Sequence, residues 1–587
     1  MGAFWRNNFG SILLLMAVVV VGVLAVNNMP KRRCELEHLF PLTLVHLNDF
    51  HARFEETNLK SNNCTVSERS AGSCIAGIAR VYTVIRDLLH KYKHKNAIYL
   101  NAGDNFQGTL WYNLLRWEVT AEFIKKLRPA AMTLGNHEFD HTPAGLAPYL
   151  ASLDRARIPM VVANLELNGE PALLNSQIRR SVVLEVDRRR VGIIGVLYDK
   201  THTIAQTGKV TFSDAVEAVR NEAARLRQRG IKRIIVLSHC GLDDDKRIAA
   251  EAGDNIDLIV GAHSHSFLYS NDTGAPYDAK TDAIVGEYPV VVQSNNTGKK
   301  IPIVQAMAFG KYVGRITVYF DERGNLKYWE GYPVYVNGSI VPDAQIVQDM
   351  QPWRQKLWAL GSTVVGETRV RLNRDTCRSL ECSLGIVVAD AFSDSWTNAT
   401  FKPLAIIQAG NFRNPIPVGS ITNGQIIEAA PFGSTADMVK ISGKDIWSMA
   451  EHSFTWDIEG RTNCLQVSGL RIRIDTTKPF YSRVVSIDVR DYSNPSQEVY
   501  SPLNPSADYY AVVPSYLADG KDGFVWMKNA TRRWSGPLDS DSFTNYVAKV
   551  KVIDNLQTGR VQVCGVNWDC VNNVALPLND DGTPKKA

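Results

Sequence analysis

Residues 131–140 read AMTLGNHEFD, and this stretch decides how the rest of the chain is read. Ala131, Met132 and Leu134 make a short apolar run that reads as a buried strand, and Gly135 ends it. Asn136, His137, Glu138 and Asp140 then follow within five residues, where the strand's carboxyl end opens into a loop. Open α/β sheets place their ligands at that end. The same order, an apolar run followed at once by Asp, Asn or His, recurs at residues 44–51 (LVHLNDFH), 98–104 (IYLNAGD), 235–240 (IVLSHC) and 258–265 (LIVGAHSH). Five such runs, each delivering oxygen or imidazole donors to one sheet edge, predict a metal site.

The 587 residues predict more than one domain, at about 100–200 residues each. Hydrophobic residues make up 45% and charged residues 21%, the composition of a globular protein with a large core. The net charge of +5 is small for this length. Lys31, Arg32 and Arg33, and again Arg188, Arg189 and Arg190, are scattered along the chain without aromatic interleaving, which argues against nucleic acid as a partner.

Residues 12–26 (ILLLMAVVVVGVLAV) are continuously apolar and follow Arg6. The run is short for a membrane span of about 20 residues. It reads as a secretory signal peptide covering residues 1–25, cut near Ala25. Residues 571–587 (VNNVALPLNDDGTPKKA) offer neither a hydrophobic tail nor a lipid-anchor signal. The chain is therefore expected to be secreted and extracellular, with no stable membrane anchor; no oligomeric state is read from it.

Six sequons fit secretion, at Asn63, Asn271, Asn295, Asn337, Asn398 and Asn529. So do three close cysteine pairs, Cys64/Cys74, Cys377/Cys382 and Cys564/Cys570, expected as local bridges in an oxidising compartment. Cys240, within an apolar strand, is expected as a buried free thiol. Cys34 and Cys464 either pair with each other or stay apart.

Short apolar strands alternate with helical stretches over residues 38–341, which predicts an α/β domain with helix-covered sheets. At its end, IPIVQA and VGRITVYFDERGNLKYW read as a hairpin or meander turning at Glu322, Arg323, Gly324 and Asn325. Residues 342–361 (PDAQIVQDMQPWRQKLWALG) have helical spacing, an initial Pro and a terminal Gly, and read as a linker helix. Residues 362–570 form a second α/β or α+β domain, and residues 571–587 a tail.

The chemistry follows from the donor set. Asp49 and His51 sit two apart, so an extended chain would turn both to one face. Asp104 can bridge two cations, Asn136 adds an amide oxygen, and His239, His263 and His265 add imidazoles. That is enough for two divalent ions, with zinc or manganese suited to mixed nitrogen and oxygen donors. Two such ions acidify a bound water and stabilise attacking and leaving oxygens at phosphorus, which is phosphoester or phosphoanhydride hydrolysis. His137 is assigned to transition-state stabilisation or leaving-group protonation, with Asp140 holding its imidazole. Arg53 could pair with phosphate. Taken singly, each residue has an ordinary reading: a loop histidine, a turn aspartate, or Asn136 as a helix cap.

The motifs NDFHAR, GDNFQG, GNHEFD, SHCG and GAHSH resemble those of the 5′-nucleotidase family. Residues 40–58, 103–117, 195–202, 408–416 and 515–524 are similar to the secreted salivary apyrases of blood-feeding mosquitoes within it. The resemblance implies an amino-terminal metallophosphoesterase αββα sandwich and a carboxyl-terminal α/β nucleotide-binding domain that rotate about the linker. It implies Asp49, His51, Asp104 and His265 around one ion, and Asp104, Asn136, His239 and His263 around the other. The family commonly has an amide where His265 stands. Calcium or magnesium is the support implied for activity. In the second domain it implies Arg378 and Arg413 on phosphate, Phe432 and Tyr516 stacking on the base, and Asp522 on the ribose hydroxyls. Gln408 replaces a base-contacting asparagine. The expected function is a secreted apyrase that takes ATP and ADP to AMP and phosphate, and in saliva inhibits host platelet aggregation by removing ADP. The alternatives are a 5′-nucleotidase acting on AMP and a non-catalytic secreted nucleotide-binding protein.

Overall fold

The computed structural model describes residues 36–577 and 579, except residues 37, 65, 399, 456–461 and 493–497. The expected signal segment, Cys34 and most of the expected tail lie outside the described residues. Among those described, no helix is long and apolar enough to cross a membrane.

The first half of the chain is built on two sheets packed face to face. One carries β1 (Phe40–Leu47), β2 (Ile98–Asn101) and β3 (Ala131–Met132). The other carries β4 (Ser181–Val186), β5 (Arg189–Leu197), β6 (Ile234–His239), β7 (Leu258–Val260), β8 (Val290–Gln293) and β9 (Lys300–Val304). Two further strands, β10 (Tyr312–Phe320) and β11 (Leu326–Tyr335), complete the first sheet in the order β11-β10-β1-β2-β3. The second runs β8-β9-β7-β6-β5-β4. The pairs β1–β2, β2–β3, β5–β6 and β6–β7 are parallel. Their carboxyl ends thus share a pole in each sheet.

The five apolar runs do not feed one sheet edge, as their likeness suggests: three belong to one sheet and two to the other. Side chains such as Leu42, Leu44 and Leu100 meet Ile193, Val236 and Ile259 in one core. The opposite face, with Val45, Tyr99 and Met132, packs on helices α1 (Ile78–Lys91), α2 (Leu110–Leu127) and α3 (Thr142–Arg155). The second sheet is covered by α4 (Ala215–Gln228) and α5 (Leu242–Ala252). This is an αββα sandwich. All six residues of β6 are buried, which is why it reads as a continuous apolar run and not as alternation. The hairpin turning through residues 321–325 is β10–β11 alone; Lys300–Val304 instead crosses to the second sheet.

Residues 342–361 form two helices, Ala344–Asp349 and Gln351–Gly361, where one was expected. Pro352 lies in the first turn of the second, a position that favours a fresh helix start. Beyond them lies a five-stranded sheet in the order Leu465–Ser468, Leu404–Gln408, Asp508–Pro514, Ala436–Ser442, Arg532–Trp534. It packs against Ser383–Ser395 and Gly443–Ser453. The three close cysteine pairs are disulfides, with Cα separations of 5.9, 4.8 and 5.2 Å, and Cys240 and Cys464 are buried with no disulfide partner among the described residues.

Side chains from α2 and from the loop after β5 tie the halves together. Asn113 Nδ2 donates to Ser540 Oγ at 3.3 Å, Arg116 Nη2 to Asp541 at 2.8 Å, and Gln206 Nε2 to the Gly536 carbonyl at 2.7 Å. Arg116 kinks its helix with φ of 54°. A non-glycine residue held there costs on the order of 1–3 kcal/mol, here set against the contacts that Arg116 makes across the interface.

Candidate metal centre and the facing nucleotide cleft

Each strand end delivers its donors to one buried pocket. Asp49 and His51 follow β1, Asp104 follows β2, Asn136 and His137 follow β3, His239 ends β6, and His263 and His265 follow β7. His239 Nε2 lies 3.1 Å from Asp104 and 3.8 Å from Asp49. His265 Nε2 lies 3.4 Å from Asp49 and 3.1 Å from His51 Nε2. His51, Asp104 and His137 form a further donor cluster, which shares His51 with Asp49 and His265 and shares Asp104 with His239 and His263.

The chain does not run extended through the first motif. Asp49, His51, Asp104, His263 and His265 all have φ between 49° and 73°, in the left-handed region. Neighbouring donors reach one pocket because the backbone coils there, and burial of the surrounding loops holds a conformation that L residues disfavour.

Glu138, inside the NHE motif, is the residue that the sequence reading left without a role. Its carboxylate accepts from the backbone N–H of Gly135 (2.6 Å), Asn105 (2.7 Å), Asp104 (3.0 Å) and Phe106 (3.3 Å). It thereby staples the β2 loop to the β3 loop. Gly135 is required beside it, since a Cβ there would stand 2.0 Å from Asp104 Oδ1. Asn136 makes no cap hydrogen bond.

Asn136 Oδ1 is buried without a hydrogen-bond partner among the described residues. An unpaired buried polar atom costs about 1–3 kcal/mol. His239 Nδ1 meets the Ala102 carbonyl at 2.7 Å, which leaves the Nε2 lone pair facing the two carboxylates. Two carboxylates, an orphaned amide oxygen and several imidazoles are a donor set that fits divalent cations. The local field is strongly negative. Burial acts to lower the His239 pKa, yet Asp104, Asp49 and the Ala102 carbonyl together raise it to about 9. At His263 burial wins, and the value falls to about 4.

His137 Nδ1 bonds Asp140 Oδ2 at 2.7 Å, one turn along a 3₁₀ helix (His137–Phe139), and its ring lies 5.2 Å from that of His51. Burial acts to lower its pKa, but Asp140 and Asp104 raise it to about 10. Arg53 is half-buried, with Nη1 on the carbonyls of His51 and Gly108 and its guanidinium 4.7 Å from the Phe309 ring.

The second domain brings its expected residues together on a separate face. Phe432 and Tyr516 are 40% and 44% exposed, which leaves ring faces open for stacking. Arg413 lies 4.4 Å over Phe432, with Nη1 on the carbonyls of Gly410 and Phe412. Tyr516 donates to Asp522 at 3.0 Å, and Arg378 reaches the Thr462 carbonyl at 3.4 Å. Gln408 is buried, with Oε1 unpartnered among the described residues. Asn463, unmarked in sequence, links the Gly410 N–H (3.1 Å) to Asp522 (3.3 Å). Gln107 joins the two faces: three residues past Asp104, its side-chain amide donates to the carbonyl of Gly433, next to Phe432.

Comparison with known proteins agrees with this architecture. Residues 42–267 match the calcineurin-like phosphoesterase family model, and residues 364–529 match the 5′-nucleotidase C-terminal domain. An apyrase of Aedes aegypti is 64% identical over 95% of this chain and 98% of its own length. An apyrase of Anopheles gambiae is 57% identical over 88% and 89% respectively. The solved 5′-nucleotidase precursor from Thermus thermophilus is 34% identical, covers 90% of this chain and 100% of its own, and superposes with a TM-score of 0.58. The Haemophilus influenzae NAD nucleotidase, 22% identical over 89% of this chain and 99% of its own, shares the fold with a TM-score of 0.69. With its phosphoesterase sandwich, its buried Asp/His/Asn pocket and its second domain facing that pocket, this chain belongs to the 5′-nucleotidase family of metal-dependent nucleotide phosphohydrolases.

Proposed function

We propose that this chain is a secreted apyrase that hydrolyses ATP and ADP to AMP and phosphate. The observation that carries the reading is the contact between Gln107 and Gly433, which sets the exposed Phe432 ring beside the loop bearing Asp104. A nucleotide stacked on Phe432 and Tyr516 would extend its phosphates towards the carboxylates and imidazoles. Stacking is worth about 1–3 kcal/mol per base and tolerates any base, so selectivity among nucleotides is expected to be loose.

Asp49, His51, Asp104 and His265 would hold one divalent cation, and Asp104, Asn136, His239 and His263 a second. When bound, the cations supply Lewis acidity and charge neutralisation at phosphorus. The protein's own part is to orient and to move protons. His137, held by Asp140, presents Nε2 for proton donation to the leaving oxygen, and the raised pKa keeps that proton available. Arg378 and Arg413 offer forked guanidinium groups to the phosphates, and Asp522 offers a carboxylate to the ribose hydroxyls. Magnesium or calcium would support turnover, and zinc or manganese also suit the donors. Secretion in saliva and the clearing of ADP from host platelets are the setting we propose for it, supported by the likeness to mosquito apyrases.

The second reading is a 5′-nucleotidase that releases adenosine from AMP, and the name of the Thermus relative favours it. Phosphate release from ATP, ADP and AMP in parallel, with chelator added and single cations then restored, separates the two. Release from ATP and ADP with AMP accumulating supports the apyrase, while release from AMP alone promotes the nucleotidase. No release from any substrate under every cation would leave a nucleotide-binding protein.

A further inference from the structure

The arginines that lie scattered along the sequence are gathered by the fold. Arg188, Arg189 and Arg190 form the turn and first residues of the β4–β5 hairpin, and all are exposed. Arg190 Nη2 reaches the Gly230 carbonyl at 3.5 Å, which brings exposed Arg229 alongside. Parallel pairing of Gly192 with Ile234 sets Lys232 level with Arg190. Gly324, whose Cβ would fall 2.5 Å from that of Lys232, places Arg323 next to them. Three acids share this surface, Glu185, Asp187 and Glu322, and the six cations outnumber them two to one. Two other nearby acids are already engaged: Asp257 pairs with Arg227 and Lys299, and Asp321 with Lys327.

Beneath the patch, Arg233 is 3% exposed, and its Nε has no partner among the described residues. It is packed 4.9 Å from the Phe40 ring, whose other neighbour is Arg189 at 6.0 Å. Its pKa is pushed down by burial and by Arg189. Like charges are thus crowded at this pole and repel one another, a cost that a bound polyanion would relieve.

From this cluster we infer that the pole carrying Arg188, Arg190, Arg229, Lys232 and Arg323 docks the enzyme on a sulfated polysaccharide. Arginine dominates the patch, and its planar fork matches the paired oxygens of sulfate and carboxylate groups. Among the described residues this surface has no exposed large apolar side chain of the kind a membrane interface would use, and the aromatic rings in it, Phe40 and Phe320, are buried where bases could not stack on them. The position suits a tether. β5 runs from this patch to the metal pocket, and nine steps of about 3.3 Å separate Arg189 from Tyr198, whose ring stacks on His263. That is roughly 30 Å, several Debye lengths at physiological salt. The enzyme could be held by this end with its cleft facing outward and its chemistry undisturbed.

The test uses the full chain and a size-defined heparin oligosaccharide at 0.15 M salt. Arg188→Ser, Arg190→Ser and Lys232→Ser are combined, and a control combines Lys444→Ser, Lys478→Ser and Arg532→Ser, which removes the same charge from exposed positions of the second domain. The wild type and the control should bind, with affinity falling steeply as salt rises. The patch variant should bind at least about tenfold more weakly, while neither variant melts below the wild type and ADP hydrolysis is the same in all three. Equal weakening in both variants, or no binding by the wild type, overturns the inference. Patch-dependent binding to phosphatidylserine vesicles without heparin binding overturns it in favour of an anionic membrane.

Discussion

Replacing Glu138 by Gln tests whether the metal loops are held by a carboxylate that touches no substrate. The side chain is 1% exposed, and each of its oxygens serves two backbone donors. Burial and the nearby Asp104 push its pKa up to about 7, against the pull of the backbone N–H groups. Gln has the same shape but only one acceptor atom. Whichever way the amide turns, its NH2 faces two N–H groups and two hydrogen bonds to a charged acceptor are lost. At about 1.5–3 kcal/mol each, the loss is roughly 3–6 kcal/mol of loop positioning. The lower figure is about two orders of magnitude in an equilibrium constant. Glu138→Gln should therefore fold, carry less metal per chain after dialysis, and need at least about 100-fold more added cation for half-maximal ADP hydrolysis. Excess cation should restore part of the turnover, because every donor is still present. Metal content and cation dependence equal to the wild type would refute the reasoning.

Three further outcomes follow from the same geometry. His137→Ala should lower kcat by about 10²–10⁴ while metal content measured by elemental analysis is unchanged; a full loss of metal would instead make His137 a ligand. Gly433→Ala puts a Cβ 2.3 Å from the Gln107 amide at a φ of +63°, so KM for ADP should rise several-fold with metal content intact, and an unchanged KM would remove Gln107 from the cleft. Asp245, buried in α5, has its pKa raised to about 8 by burial. Its contribution to stability is therefore full below the ordinary carboxylate pKa of about 4 and is lost as pH rises through 8, at up to about 1.4 kcal/mol per unit. Urea midpoints at pH 5 and pH 8.5 should fall less in Asp245→Asn than in the wild type, and equal falls would contradict the assignment.

The proposed ligands are legible because each follows a strand that is buried on both faces, and an apolar run ending abruptly in Asp, Asn or His marks a strand's carboxyl end without any knowledge of its neighbours. What surrounds the ligands was not legible, for a reason common to all the cases. Glu138 reads as a helix-start acid, and its role exists only because the β2 loop turns its backbone N–H groups towards the β3 loop. Gln107 and Asn463 are ordinary amides until Gly433 and Gly410 are brought against them. The coiling of Asp49 and His51 into the left-handed region is imposed by tertiary packing over local preference, and so ran against the extended reading. The arginine patch is the surface counterpart: register between β5 and β6 aligns Arg190 with Lys232, a neighbourhood that spacing along the chain conceals. Periodicity reports what a segment buries, whereas hydrogen bonds to backbone and clusters of like charge report what distant segments do to one another. The proposed metal donors belong to the first kind of information and the groups that position them to the second. It follows that substitutions at Glu138 or Gln107, unremarkable in sequence, should perturb activity more than those at His38 or His94, histidines that lie outside the pocket.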